Sequence, residues 1–301
     1  MNHNNKIIII TGPTASGKTS LAVQLSMAIK GEIISADSRQ VFRKMDIGTG
    51  KDLDEYGDIP YHLIDILDPS EEFSVAEFQR LTLKAINEIH SRRKFPIICG
   101  GTGHYIKALI ENYQFRHASS DRYQAGTLER LSRQELYDLL EQNGLGKTRH
   151  WEKDSRRRMA RAIEKARIGK KKSSDLLRLY HFPTRIYFTY IDRALLRKRI
   201  KVRLKERLER GMIEEVSNFI SSGIDNKRLE RFGLEYKWVL FYLKGDINYK
   251  TMEERLYVDI CRFSKRQVTF LRYLEKSGHE LIPVQSYTKL LNDVKQWLSA
   301  L

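Results

Sequence analysis

Lys6-Ile7-Ile8-Ile9-Ile10-Thr11, then Gly12-Pro13-Thr14-Ala15-Ser16-Gly17-Lys18-Thr19, then Ser20 to Ile29 is the stretch whose reading decides the fold. The β-branched run predicts a buried strand and Ser20–Ile29 predicts a helix. Between them stands Gly-x4-Gly-Lys-Thr, a phosphate-binding loop in its proper strand–loop–helix setting. Gly12 and Gly17 let the backbone curl so that successive N–H groups point inward, and the following helix adds its positive N-terminal end. Lys18 can then reach terminal phosphate oxygens, and the hydroxyl of Thr19 or Ser16 suits Mg²⁺. The loop predicts a bound polyphosphate or pyrophosphate without choosing between them.

The chain outward from this loop reads as an α/β protein with a parallel sheet. Gly31–Ala36 predicts a second strand, with Asp37-Ser38-Arg39-Gln40 at its end. In open parallel sheets ligands sit outside the carboxyl ends of the strands, so Asp37 falls beside whatever the loop holds. There it serves either as a base or as an ordinary loop or capping carboxylate. Residues 41–58 predict an irregular loop over the mouth, Tyr61–Ile66 a short buried stretch, and Val75–Arg92 a helix capped by Ser74. Phe95–Cys99 predicts another buried strand running into Gly100-Gly101-Thr102-Gly103, a second glycine-rich turn at the same sheet edge. No strand clearly ends in the magnesium-positioning Asp of nucleotide-hydrolysing loops; Asp65 and Asp37 are the candidates. A neutral Thr102 hydroxyl could donate to a leaving oxygen, or could simply be a turn threonine.

At 301 residues and 41% hydrophobic content, the chain can build one sizeable domain and a smaller one. No 18-residue apolar run exists, and MNHNNK leading straight into a strand predicts neither signal nor transit peptide. The two cysteines, Cys99 and Cys261, lack metal-ligand spacing, so cytoplasm is expected, with no membrane association. The net charge of +16 is unevenly placed. Residues 1–115 hold 13 Lys+Arg against 14 Asp+Glu, and the remainder of the chain holds 41 against 24. A neutral phosphate-loop region joined to a strongly basic one favours a polyanionic partner, most simply nucleic acid.

Six linked segments carry a resemblance. GPTASGKT, ISADSRQVF, MDIGTGK, YHLIDILDP, FSVAEFQR and PIICGGTGHYIKAL, in this order and spacing, resemble the tRNA dimethylallyltransferase family, also called IPP transferases. The resemblance implies a P-loop NTPase-like parallel sheet flanked by helices, with a small all-helical insertion. The expected boundaries are 1–115 for the first part of the core, 116–180 for a tRNA-binding insertion and 181–301 for the return to the sheet plus basic helices. It implies transfer of a dimethylallyl group from dimethylallyl diphosphate to the exocyclic amine of the adenosine 3′ of the tRNA anticodon, with Mg²⁺.

By the same resemblance, Asp37, Thr102 and Lys18 are catalytic and Gly12 to Thr19 bind diphosphate. Asp37, Ser38, Arg39, Gln40 and Thr102 are expected to meet tRNA. Arg158 and Arg161, with Ala162 and Glu164, match the insertion's Arg-x-x-Arg-Ala-Leu/Ile-Glu segment. Two departures accompany this match. The Phe115–Trp151 segment is shorter than usual, and Ile168-Gly169-Lys170-Lys171-Lys172 replaces Thr-Gly-x-Pro.

Thr184–Ile191 predicts a strand rejoining the sheet, and Asp192 caps a long basic helix to Arg210 whose cations are spread round it. Near Gly233 the family carries an arginine for the pyrophosphate; here Glu230 takes that place, and Arg231 beside it is the candidate. Lys265-Arg266-Gln267-Val268-Thr269-Phe270-Leu271-Arg272 matches the family's Lys-Arg-Gln-x-Thr-Trp-Phe-Arg, so Lys265, Arg266, Gln267 and Arg272 are expected on tRNA, with Phe270 available to stack on a base. A P-loop small-molecule or nucleotide kinase is the rival reading, and an RNA-binding ATPase-like switch a third. A monomer is expected, since nothing suggests a coiled coil or repeat.

Overall fold

The computed structural model describes residues 5–111, 128, 130–145, 156–167 and 182–300. The chain divides into two compact units, one of Met1–Tyr113 with Tyr180–Leu301 and the other of Gln114–Leu179. In the larger unit, β1 (Ile7–Thr11), β2 (Gly31–Ser35), β3 (Tyr61–His62), β4 (Phe95–Gly100), β5 (Thr184–Thr189) and β6 (Leu281–Val284) form one sheet in the order β3-β2-β4-β1-β5-β6. Every pairing is parallel.

Helices cover both faces, which is why the central strands are apolar without alternation. Ile7 and Ile9 of β1 point to one face, against α2 (Val75–Ser91), α3 (Gly103–Ile110) and the long helix at Tyr249–Lys276. Ile8 and Ile10 point to the other, against α1 (Lys18–Ile29) and the C-terminal helix at Tyr287–Ser299. The smaller unit holds α4 (Arg133–Gln142) and α5 (Arg156–Arg167), packed through Leu136, Leu140, Met159 and Ile163. Back in the larger unit come α6 (Arg193–Glu209), α7 (Met212–Ser221), α8 (Asn226–Phe232), α9 (Leu234–Leu243), α10 (Tyr249–Lys276) and α11 (Tyr287–Ser299). A third cluster joins α6–α10 to Val41, Phe42 and Met45.

Local chemistry sets the ends of these elements. Ser74 and Glu77 form a reciprocal capping box on α2, with Ser74 N–H donating to Glu77 Oε2 at 2.9 Å. Asp192 Oδ1 accepts from Ala194 N–H at 2.8 Å, so β5 stops at Thr189, short of the expected Ile191. The expected stretch Tyr61–Ile66 shrinks to a two-residue edge strand, because Leu63 (φ 62°) and Asp65 (φ 55°) leave extended conformation. Strand β6 and helix α11 carry no expectation from the sequence. A four-residue strand containing Pro283 gives little periodic signal, and proline is tolerated there because β6 is an edge. Of the expected helices in 116–180, residues 129, 154 and 155 lie outside the described residues, as do 115–127 and 146–151 of the shortened segment and Ile168–Lys172.

Glu32 lies within β2 and is 2% exposed, yet it is ionised, held by two cations and a histidine. Arg92 Nη2 (2.7 Å), His62 Nε2 (2.8 Å) and Lys94 Nζ (3.2 Å) surround it. Burial alone would raise its pKa, but the hydrogen bonds from Arg92, His62 and Lys94 pull it down to about 2. A depressed carboxylate contributes stability above its unfolded pKa and loses it as pH falls through the native one. Stability should therefore drop between about pH 4.5 and 2, and Glu32→Gln should flatten that limb of a pH–melting curve at a cost of about 2 kcal/mol at neutral pH, after allowing for the exposed partners.

Candidate active site

Strand order positions the site. β4 lies between β2 and β1, with Ser35 level with Cys99 and Thr11 level with Gly100. The Gly100–Gly103 turn therefore stands between Asp37 and the phosphate loop, and all three leave the sheet at the carboxyl edge. Gly12 has φ 152°, and a Cβ there would overlap the Thr189 hydroxyl; a Cβ on Gly100 would overlap the carbonyl of Ala36. Both positions require glycine for close backbone approach.

Within the loop, Lys18 Nζ folds back to the Pro13 carbonyl at 3.1 Å. Loss of water lowers its pKa, Arg203 and Arg207 push the same way, and Cys99 and Asp37 oppose them. Ser16 Oγ lies 2.5 Å from Thr189 Oγ1 in the buried floor, so Thr19, half-buried in the wall, is the hydroxyl left for a ligand. Cys99 is buried, and burial lifts its thiol to about 11, which makes it inert.

Across the turn, Asp37 Oδ1 accepts from Arg39 N–H at 2.8 Å. Thr102 Oγ1 accepts from Ser38 N–H at 3.2 Å, and Thr102 N–H donates to the Ala36 carbonyl at 3.2 Å. Because the Thr102 oxygen is the acceptor in that bond, its own proton is available to donate elsewhere. The half-buried Arg39 has its pKa lowered by burial, opposed by Asp37, Tyr105 and Glu235. Gln40 is a strut: its Oε1 accepts from Ser35 Oγ at 2.8 Å and its Nε2 donates to Gly50 O at 3.1 Å.

The loop over the mouth is anchored from far away in sequence. Glu215 of α7 accepts the N–H groups of Asp46 (2.8 Å), Ile47 (2.7 Å) and Gly48 (3.0 Å) and the hydroxyl of Tyr236 (2.6 Å). Lys51, 1% exposed, donates to the Phe42 carbonyl at 2.8 Å and to Asp46 at 2.6 Å, and also pairs with Asp65. Asp65, a sequence candidate for a magnesium carboxylate, is thus committed to a buried lysine.

Beside the loop opens a cleft of about 560 Å³ lined by Lys18, Thr19, Asp52, Arg199, Arg203 and Arg207, among others. Arg203 and Arg210 both pair with Asp52. Arg207 is 8% exposed, with Nη1 3.4 Å from Glu235 Oε1, and its buried Nε–H has no partner among the described residues. Burial and the neighbouring Arg203 bring its pKa down to about 10, so it stays charged at neutral pH, while burial raises that of Glu235. Arg207 thus sets positive charge in the wall of a basic cleft whose chemistry suits an anion.

The sequence reading did not single out Arg203 or Arg207. The signal was present, since Arg199, Arg203, Arg207 and Arg210 recur at helical spacing on one side of α6. Arg231, by contrast, is exposed at the end of α8 and is not part of the cleft wall. Lys265, Arg266 and Arg272 are exposed on α10, whereas Gln267 is half-buried against the two loops. Phe270 packs on Gly103 on one side, lies 6.2 Å from the tilted His104 ring and stays partly exposed. In the smaller unit Arg158 is exposed on α5; Arg161 lies on the same helix, and its side chain is outside the described residues, as is that of Glu164.

This architecture has known counterparts. The model of the IPP transferase family matches residues 40–273, and that of isopentenyl transferase matches residues 5–58. The chain belongs to the IPP transferase family. A curated tRNA dimethylallyltransferase 2 of Shewanella sediminis is 41% identical over 278 residues, covering 92% of each chain. The crystal structure of a Bacillus halodurans tRNA isopentenylpyrophosphate transferase aligns over 98% of this chain and 97% of its own, with TM-score 0.72 and 30% identity. A eukaryotic dimethylallyltransferase acting on tRNA aligns over 98% of this chain and 76% of its own, with TM-score 0.77 and 27% identity. The family has the P-loop NTPase-like fold, and the chain is a prenyltransferase. No helix among the described residues is long and apolar enough to cross a membrane.

Proposed function

We propose that this transferase moves a dimethylallyl group from dimethylallyl diphosphate to the exocyclic amine of the adenosine 3′ of a tRNA anticodon, releasing diphosphate. The observation that carries the reading is the juxtaposition around β4: one carboxylate, Asp37, and one hydroxyl with a proton to give, Thr102, tied to each other through Ser38 at the mouth of a phosphate loop. In the alkylation of an amine that carboxylate has a defined task, the removal of a proton from the attacking nitrogen. The adenine amine is a weak nucleophile, so Asp37 takes its proton as the N–C bond forms and the allylic C–O bond breaks. The electron pair of that bond leaves with the diphosphate. Loop amides, Lys18 and the Thr102 hydroxyl receive its charge, with the guanidinium charge of Arg207 in the cleft wall behind them.

Among the described residues no group of three or more His, Cys, Asp or Glu is placed to hold a metal. The residues present would hold Mg²⁺ through the Thr19 hydroxyl, because Ser16 is hydrogen-bonded to Thr189. When bound it would neutralise charge on the departing diphosphate. For the RNA, we propose Lys265, Arg266 and Arg272 on α10, Ser38 and Arg39 beside the site, and Arg158 and Arg161 on α5 of the smaller unit, with the base leaving its stack to reach Asp37. The protein acts as a cytoplasmic monomer in this reading.

Incubation with purified tRNA and either dimethylallyl diphosphate or ATP, followed by nuclease digestion and mass spectrometry of the nucleosides, tests it. One isoprenoid unit gained on adenosine with the diphosphate alone is the expected result. Phosphate release from ATP with unmodified adenosine would overturn it.

A further inference from the structure

Gln267 sits in a motif rich in exposed cations, but its side chain turns inward and joins the two glycine-rich loops. Its Oε1 accepts from Thr14 N–H at 2.8 Å, and its Nε2 donates to the Gly101 carbonyl at 3.0 Å. The orientation of the amide follows from its partners, since a flipped amide would set donor against donor and acceptor against acceptor. A Cβ on Gly101 would meet Gln267 Nε2, and one on Gly103 would meet the Phe270 ring. The glycines of the second loop are therefore the seat into which one turn of α10 presses. The same hypothetical Cβ on Gly101 lies 3.2 Å from the Gly12 carbonyl, so the two loops also touch each other directly at this point.

We infer that Gln267 is a positioning residue for the transfer reaction, holding the Thr14 segment of the diphosphate cradle in register with the loop that carries Thr102. The inference rests on the function proposed above. The distance between leaving-group oxygens and the Thr102 hydroxyl is then set by a side chain that touches neither substrate. Small errors at such a separation are costly, because hydrogen bonds to developing charge weaken steeply with misalignment. The helix that supplies Gln267 also presents Lys265, Arg266 and Arg272 to solvent, so a single rigid element carries both the RNA-facing cations and the strut.

Gln267→Met keeps the length and packing of the side chain and deletes both hydrogen bonds. At saturating tRNA, its kcat/KM for dimethylallyl diphosphate should fall about ten- to a hundredfold, while the Kd for tRNA in filter binding stays within about twofold of the parent. Gly101→Ala pushes the same amide away from the other side on a backbone that tolerates alanine, and it should reproduce the defect. The double variant should then lose little more than either single one. A weakened tRNA Kd with unchanged donor kinetics would make Gln267 an RNA contact and overturn the inference, as would parental behaviour in both assays. Absence of transfer by the parent protein would instead overturn the proposed function, so the two failures are distinct.

Discussion

Asp37→Asn is expected to bind tRNA as the parent does and to transfer the dimethylallyl group roughly 10²–10⁴-fold more slowly. The amide is isosteric with the carboxylate, and its oxygen can still accept from Arg39 N–H, so the turn after β2 is retained. What disappears is the ability to take a proton from the attacking amine. Single-turnover rates with saturating tRNA and donor, read beside a tRNA binding isotherm, separate chemistry from recognition. Parental single-turnover rates in this variant would remove Asp37 from its role, and loss of tRNA affinity would make it a recognition residue.

Lys18→Met should produce two opposite effects. Lys18 faces Arg203 and Arg207 in the cleft, and its pKa is lowered first by burial and then by those cations. With the native pKa below the unfolded one, the unfolded chain binds more protons at pH values between the two, so this group disfavours folding at neutral pH and the penalty fades as pH rises. Removing the charge should raise the melting temperature of the protein measured without donor. The same change deprives the diphosphate of a charged donor and should lower kcat/KM by about 10²–10³-fold. A variant that is both less stable and fully active would refute the assignment.

The sequence was most informative where local rules act alone. The strand–loop–helix around Gly12–Thr19, the capping box at Ser74 and the buried runs at Ile33 and Ile97 each follow from spacing and residue type, so their elements were expected close to where they lie. The strand ends of a parallel sheet placed Asp37 and Thr102 at one sheet edge, the resemblance gave them their catalytic roles, and the register of β4 against β1 and β2 explains why they meet. Contacts between distant segments were not legible. Arg207 looks like one more surface cation on a basic helix until Glu235 and the loop close over it. Gln267 looks like part of an RNA-facing motif until Thr14 and Gly101 engage it. Strand β6 was lost because a tripeptide-scale apolar signal broken by Pro283 cannot be told from a loop without its partner strand.

The placement of β5 has a consequence for the chain as it is made. Strand β1 pairs with β4 on one side, but its other edge is covered only by Thr184–Thr189, which leaves the ribosome long after the phosphate loop. Until then the nascent protein carries an uncovered edge of four isoleucines and a threonine, the kind of surface that recruits chaperones or stray strands. The anchoring carboxylate of Glu215 and the strut of Gln267 emerge later still. A functional anion cradle is thus a product of completed synthesis, and a fragment ending before residue 184 should accumulate as an aggregate rather than as a partial enzyme.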